Sequence, residues 1–374
     1  MKTAIMTLAL SDNYGAALQT CGLAQAVKAM GHDTEVYRYQ DWSRVTYGMG
    51  AVGRLKYKAF CIAKAILTQN QRQKRFDTFR KDHIPLTDKL YGNNAQLQAD
   101  PGDFDVYISG SDQIWNPKLF IFDYSYFLNF VPEGKKKISF ASSFGKADFE
   151  ESYKEKCGKL LSEYAHISVR EKSGEAIVAD LCGKKATTCV DPTLLLDQEG
   201  WTPMMAAASE KSKAFHGILC YIMPGDKLVT DAIENIAQQL HKKTGLPIMR
   251  LGIKEHKVFS YPAGETDIKA GPAEFLTYFA GAQYVVTNSF HGTAFSVNFG
   301  KECYIPINDT LPPEKALHER ITSLLTQVEA TDLMLPASNP IVPEDRQICW
   351  DNVQNNLSRL RQDAMAYLKH ALEE

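Results

Sequence analysis

The sequence predicts an α/β protein made of two Rossmann-like domains facing across a cleft, and three observations predict it. Short apolar, β-branched runs alternate with helical stretches along most of the 374 residues, the pattern of βαβ units around a parallel sheet. The alternation restarts after a break near 195–202. Several strand candidates also end in polar, glycine-containing loops, where an open α/β sheet binds its ligands. The most pronounced such junction is Val285–Val297, VVTNSFHGTAFSV, where a strand stops at a polar tetrad and a small-residue helix follows. His291 is the leading candidate there for chemistry; the plainer alternative is a hydrogen-bonding histidine at a strand end.

Length favours two domains. The expected division is 1–197, then 198–348 carrying the His291 loop, with a terminal helix over 349–374 packing back on the first domain. A hydrophobic content of 44%, a charged content of 23% and a net charge of -2 suit a soluble protein and argue against nucleic acid as a partner. Eight cysteines form no CxxC pair and no metal-ligand spacing, so they read as buried thiols of a reducing compartment, with no metal site. The opening run, MKTAIMTL, lacks the length and cleavage site of a signal peptide, and no apolar stretch reaches spanning length. The expectation is a cytoplasmic protein.

In the first half, Thr3–Leu10 reads as a strand, followed by SDNYGAALQ and a helix to about Met30 that Gly31 ends. The turn has neither GxGxxG nor GK[ST]. Asn13 and Tyr14 are candidates to contact a sugar; making the turn and ordinary packing are the alternatives. A basic helix over about 54–80 is a solvated face, or else an attraction to a membrane surface bearing a lipid-linked substrate. The strand 104–108 delivers SGSDQIWNP, in which Asp112 is an acid, a base or a hydroxyl-orienting group, or else a cap. Gln113 and Trp115 offer an amide and an aromatic face to a sugar, or pack. The strand in 137–145 has a small, polar end, SFASSFG. The strand 166–170 ends in Arg170, whose planar fork suits a phosphate or carboxylate, with an ion pair to Glu171 as the alternative. A strand over 187–190 is closed by Asp191 before proline, at a sheet edge where a crevice would open.

The second half repeats the design. It has strands at 214–223, 246–250, 283–287 and 303–307, a helix over 228–242, one opening at Pro272, one over 317–325 and a last one over 350–368.

SDNYGAALQ, ISGSDQIWNP, SFASSFG, SVRE, CVDPTLLL and VVTNSFHGTAFSVNFGK occur in that order, and together they resemble the polysaccharide pyruvyl transferase family over essentially the whole chain. The resemblance implies a fold similar to glycosyltransferase type B. It also implies transfer of the pyruvyl group of phosphoenolpyruvate, as co-substrate and without a cofactor, onto two hydroxyls of a sugar in a surface polysaccharide or its lipid-linked precursor. The product is a pyruvate ketal. His291 matches the family's histidine, a general acid or phosphate contact, and Arg170 matches its strand-end arginine. The remaining donor candidates are Asn288, Ser289 and Gly292. Ser289 stands where the family's better understood members have an arginine. Asp112 would orient or deprotonate an acceptor hydroxyl, Asp191 would floor the cleft, and Asn13, Tyr14, Gln113 and Trp115 would meet the acceptor. The competing readings are a nucleotide-sugar glycosyltransferase and a family member without catalysis.

Overall fold

The computed structural model describes residues 1–41, 71–119, 122–145, 149–252, 264–311 and 319–374. They form two compact units, Met1–Leu195 with Asp363–Glu374, and Leu196–Gln362.

The first unit opens with β1 (Lys2–Met6), α1 (Tyr14–Ala29) and β2 (Asp33–Tyr39). Next come α2 (Gln71–His83), β3 (Leu86–Tyr91), β4 (Val106–Ser109) and β5 (Lys136–Ser139). The five strands pair in parallel in the order β3-β2-β1-β4-β5. After α3 (Glu151–Ser162), β6 (Ser168–Val169), α4 (Lys172–Cys182) and β7 (Thr187–Thr188), the β6–β7 pair docks beside β5 through bridges from Ile138 to His166 and from Ser142 to Val169. The strand order reverses between β1 and β4, and the loops after these two strands flank that switch point.

The predicted first strand is shorter than expected. It stops at Met6 because Thr7 turns its hydroxyl onto the Ser111 carbonyl, 3.0 Å away, and the chain folds back at Ala9. Asn13 then takes the Ala16 amide at 3.2 Å and starts α1 as its cap. Helix α1 passes so close to Pro192 that a Cβ on Gly22 would sit 2.4 Å from the Pro192 carbonyl oxygen. Only glycine permits that approach, which seats the Asp191 turn against the helix.

Most of the expected basic helix 54–80 lies outside the described residues. In its described part, α2, Arg80 is 4% exposed and donates to the carbonyls of Ala9, Leu10 and Ser11. Arg72 donates to the Tyr14 hydroxyl and the Asp12 carbonyl and lies 4.4 Å from the Tyr14 ring centroid. These two charges hold the β1–α1 loop; they are not a solvated face.

The second unit contains β8 (Gly217–Tyr221), α5 (Lys227–Thr244), β9 (Ile248–Leu251), β10 (Glu265–Thr266), α6 (Pro272–Gly281) and β11 (Ala282–Thr287). It continues with α7 (Phe290–Asn298), β12 (Glu302–Ile307), α8 (Glu319–Gln327) and β13 (Met334–Pro336). Its six parallel strands run β10-β9-β8-β11-β12-β13, with the switch point between β8 and β11. Helix α5 buries Val229, Ala232, Ile233, Ile236, Ala237 and Leu240 at helical spacing, with Asp226 capping its start. The α/β class and two Rossmann-like domains expected from the sequence are present.

The last helix, α9 (Trp350–Glu373), is divided between the units, its residues from Asp363 onward belonging to the first. There Tyr367 donates to the Ser139 carbonyl and Lys136 to that of Leu372, each at 3.1 Å. Also in this unit the rings of His166 and His370 meet edge to face, centroids 5.0 Å apart. Burial, then Lys136, His370 and Lys184, hold the His166 imidazole below its ordinary range, against Glu374. Folded His166 therefore binds a proton less readily than in the unfolded chain. Its contribution to stability is full above the unfolded pKa of about 6.5 and is lost as pH falls below it. His166→Phe is expected to flatten the fall in unfolding temperature between about pH 7 and pH 5; an unchanged slope in a thermal scan would contradict this.

Candidate active site

In the second unit each of the polar side chains Thr287, Asn288 and Ser289 has a local task. Thr287 donates from its hydroxyl to the Tyr221 carbonyl at 2.7 Å and accepts the Ser289 amide at 3.1 Å. Asn288 spans the switch point: its amide nitrogen donates to the Met223 carbonyl at 2.9 Å, and its oxygen accepts the Met223 amide at 2.8 Å. Ser289 is the N-cap of α7, its hydroxyl 3.4 Å from the Gly292 amide. An arginine could not make this cap, which is a local reason for serine at this position. A Cβ on Gly292 would lie 2.3 Å from Thr287 Oγ1, so this glycine is required by close packing of helix on strand. Asn288 and Gly292, expected to contact a donor, both serve the scaffold in this structure. They carry His291 into the first turn of α7, 8% exposed, with its ring 5.2 Å from that of Phe290.

In the first unit, Ser111, Asp112 and Gln113 after β4, Ser142 and Ser143 after β5, Arg170 and Glu171 after β6, and Asp191 after β7 gather through hydrogen bonds at the carboxyl ends of the strands. Arg170 is their hub. Its Nε donates to Glu171 Oε1 at 2.9 Å and its Nη1 to Asp191 Oδ2 at 2.8 Å, with side chains 2%, 6% and 0% exposed respectively. Burial alone would lower the guanidinium pKa; Glu171, Asp191 and Asp112 together hold it above the ordinary arginine value. Arg170 makes the ion pair with Glu171 that was the alternative to a donor contact, and a second one with Asp191.

Asp191 Oδ1 accepts the Thr193 amide and hydroxyl, and its Oδ2 lies 3.1 Å from the Ser111 hydroxyl besides Arg170. With both oxygens engaged and no exposed surface, Asp191 holds the loops together and does not floor a crevice. Asp112 differs. It is half-buried, has φ 77°, a conformation costly for a side chain bearing a Cβ, and its carboxylate accepts its neighbour Gln113's amide at 2.8 Å. Ser143 fixes it by donating its amide to the Asp112 carbonyl at 3.0 Å.

The acceptor candidates separate. Trp115 is fully buried, stacked on Phe127 and against Phe144 and Tyr164, with its indole nitrogen donating to Tyr126; its aromatic face belongs to the core. Tyr14 is 1% exposed under Arg72, and the side-chain oxygen of Asn13 caps α1. These three are corrected to packing and turn roles. Gln113, half-buried, receives the Asn116 amide at 3.0 Å.

The sequence model of the polysaccharide pyruvyl transferase family matches residues 13–308. The chain belongs to this family. A search of curated proteins finds no match. Among solved structures, the chain resembles UDP-GlcNAc 2-epimerase from Methanocaldococcus jannaschii at 9% identity and TM-score 0.53, covering 96% of this chain and 92% of that one. A putative UDP-N-acetylglucosamine 2-epimerase from Listeria monocytogenes is similar at 10% identity and TM-score 0.52, over 98% and 90% of the two chains. At these identities the likeness is one of fold. The family match takes in both loop clusters, and among the described residues no helix is long and apolar enough to cross a membrane.

Sequence reasoning passed over Ser143 and Thr287, whose hydroxyls organise the two clusters, and took Glu171 only as a counter-ion. Their one signal was membership of SFASSFG, VVTNSFHG and SVRE.

Arg170→Ala would leave two buried carboxylates without their cation. It should cost about 3–5 kcal/mol in urea unfolding, with Arg170→Lys recovering little because one ammonium lacks the fork that bridges both acids. Gly292→Ala should cost about 1–3 kcal/mol by overpacking against Thr287. A Gly292→Ala protein as stable as the parent would show that α7 does not press on β11 as described.

Proposed function

We propose that this pyruvyl transferase family member uses phosphoenolpyruvate to place a pyruvate ketal on a diol of a saccharide. The observation that carries the reading is the placement of His291 in the first turn of α7, at the switch point of a Rossmann-like sheet, within a chain that the family model matches. A helix start favours an anion through its amide donors and dipole, which suits the donor's phosphate or carboxylate. Imidazolium is a suitable acid near neutral pH. In this reading His291 delivers a proton to the methylene carbon, the adjacent carbon takes on oxocarbenium character, and a sugar hydroxyl oxygen bonds to it. Phosphate departs with the electron pair of its C–O bond, and a second hydroxyl closes the ring. Of the two hydroxyl protons, one makes good the acid and the other leaves with phosphate.

Asp112, in the first unit's loop cluster, is the candidate to orient or deprotonate an acceptor hydroxyl. One oxygen of its carboxylate accepts a backbone amide. The acceptor is a saccharide, free or lipid-linked.

The test is phosphate release from phosphoenolpyruvate with oligosaccharide and lipid-linked acceptors. His291→Gln is expected to lower kcat by about 10²–10⁴ with a smaller effect on KM, as for loss of a general acid. Absence of phosphoenolpyruvate binding by the parent would end this reading. Release of a nucleoside diphosphate from a nucleotide sugar would replace it with glycosyl transfer.

A further inference from the structure

At the amino ends of β5, β6 and β7, away from the loop cluster, titratable side chains meet that the candidate active site does not use. Lys136 opens β5, His166 precedes β6 and Lys184 precedes β7. The end of α9 lies against them. The His166 and His370 rings stand edge to face with centroids 5.0 Å apart, and His370 Nδ1 is 3.1 Å from Glu374 Oε2. Lys136 donates to the Leu372 carbonyl at 3.1 Å and Lys184 to the Tyr164 carbonyl at 2.5 Å. The His166 backbone is fixed in the sheet, its carbonyl accepting the Ser139 amide at 3.0 Å.

The charged groups acting on His166 are Lys136 from β5, Lys184 from the turn before β7, His370 from α9 and Glu374 just after it. Glu163, between α3 and β6, is engaged by Lys137 at 2.5 Å. Neutral imidazoles suit an edge-to-face contact, whereas two imidazolium rings at that distance repel. Burial comes first among the causes that hold His166 below its ordinary range, followed by Lys136 and His370. The His370 contribution is lost when the end of α9 leaves. Departure therefore raises the affinity of His166 for a proton, and by linkage a proton favours departure.

The attachment on which this acts is slight. Tyr367 donates to the Ser139 carbonyl at 3.1 Å, and the segment's buried apolar side chains are Ala364, Leu368, Ala371 and Leu372. A terminal segment held in this way opens for much less free energy than the whole unit.

We propose that Asp363–Glu374 is an acid-released clamp: charging the His166–His370 pair frees it from β5 and β6 while the sheet stays folded. Release removes the Tyr367 bond to β5, the strand that leads into the Ser142–Ser143 loop. Docking is at full strength above the free imidazole pKa of about 6.5 and weakens as pH falls below it. The clamp does not depend on which reaction the protein catalyses.

Hydrogen exchange of the full chain, read by mass spectrometry at about pH 7.5 and about pH 5.5 and corrected for the intrinsic pH dependence of exchange, tests this. Protection of the amides over 367–373 should fall about tenfold or more at the lower pH, while β1, α1 and β4 keep theirs. Replacing both histidines, His166→Phe with His370→Phe, preserves two rings without their charges and should hold the fall to within about twofold. Glu374→Gln, at a side chain 69% exposed, removes the carboxylate that offsets the cations and should move release to higher pH. This variant decides the matter if the double variant does not fold. Equal protection of 367–373 at both pH values, an undiminished loss in the double variant, or a loss shared evenly with β1 and α1 would each overturn the proposal. So would a release that Glu374→Gln leaves in place or moves to lower pH.

Discussion

The ion pairs of Arg170 with Glu171 and Asp191 are the constraint on which the first unit's loop cluster depends. The three residues follow β6 and β7, and the serines they bond follow β4 and β5, so one guanidinium ties four strand ends together. Two carboxylates so far from water are tolerable only beside a cation whose planar fork reaches both. With Asp112 also acting on it, the guanidinium is held above the ordinary arginine value despite its burial.

The second unit solves a different problem with neutral groups. Thr287, Asn288 and Ser289 satisfy the backbone at the ends of β8 and β11, and Gly292 lets α7 start immediately against the strand. The histidine is thereby delivered at the positive end of a helix dipole without any neighbouring charge in the segment Thr287–Gly292. Serine in place of arginine at position 289 fits this arrangement, because the position is an N-cap only 5% exposed.

Much of the fold was legible because it follows from local pattern. Period and turn residues marked α1, α5 and α6 and the strands around Val36, Ile108, Leu219 and Val286, and the alternation alone implied parallel sheets. Strands β3, β10 and β13 were missed, being short or edge strands whose side chains carry little apolar signal. The extent of β1 was overread because Thr7–Leu10 has strand composition; a hydroxyl bonded to a residue more than a hundred positions away ends the strand instead.

For the candidate site, the chain's residue types and their order determined which loops matter: SDNYG, SGSD, SSFG, VRE and NSFHG all stand at strand ends. What each side chain does within those loops was a tertiary matter. Trp115 faces a ring of aromatics rather than solvent, Asp191 has every lone pair engaged, and Asn288 answers Met223, all through partners distant in sequence. Arg170 and Glu171 are adjacent in the chain, so their pairing was foreseeable. That Asp191 joins them on the same guanidinium was decided only when the chain brought β7 beside β6. Sequence composition dictates which groups are present at a strand end; hydrogen bonding across strands dictates which of them remain open to a ligand.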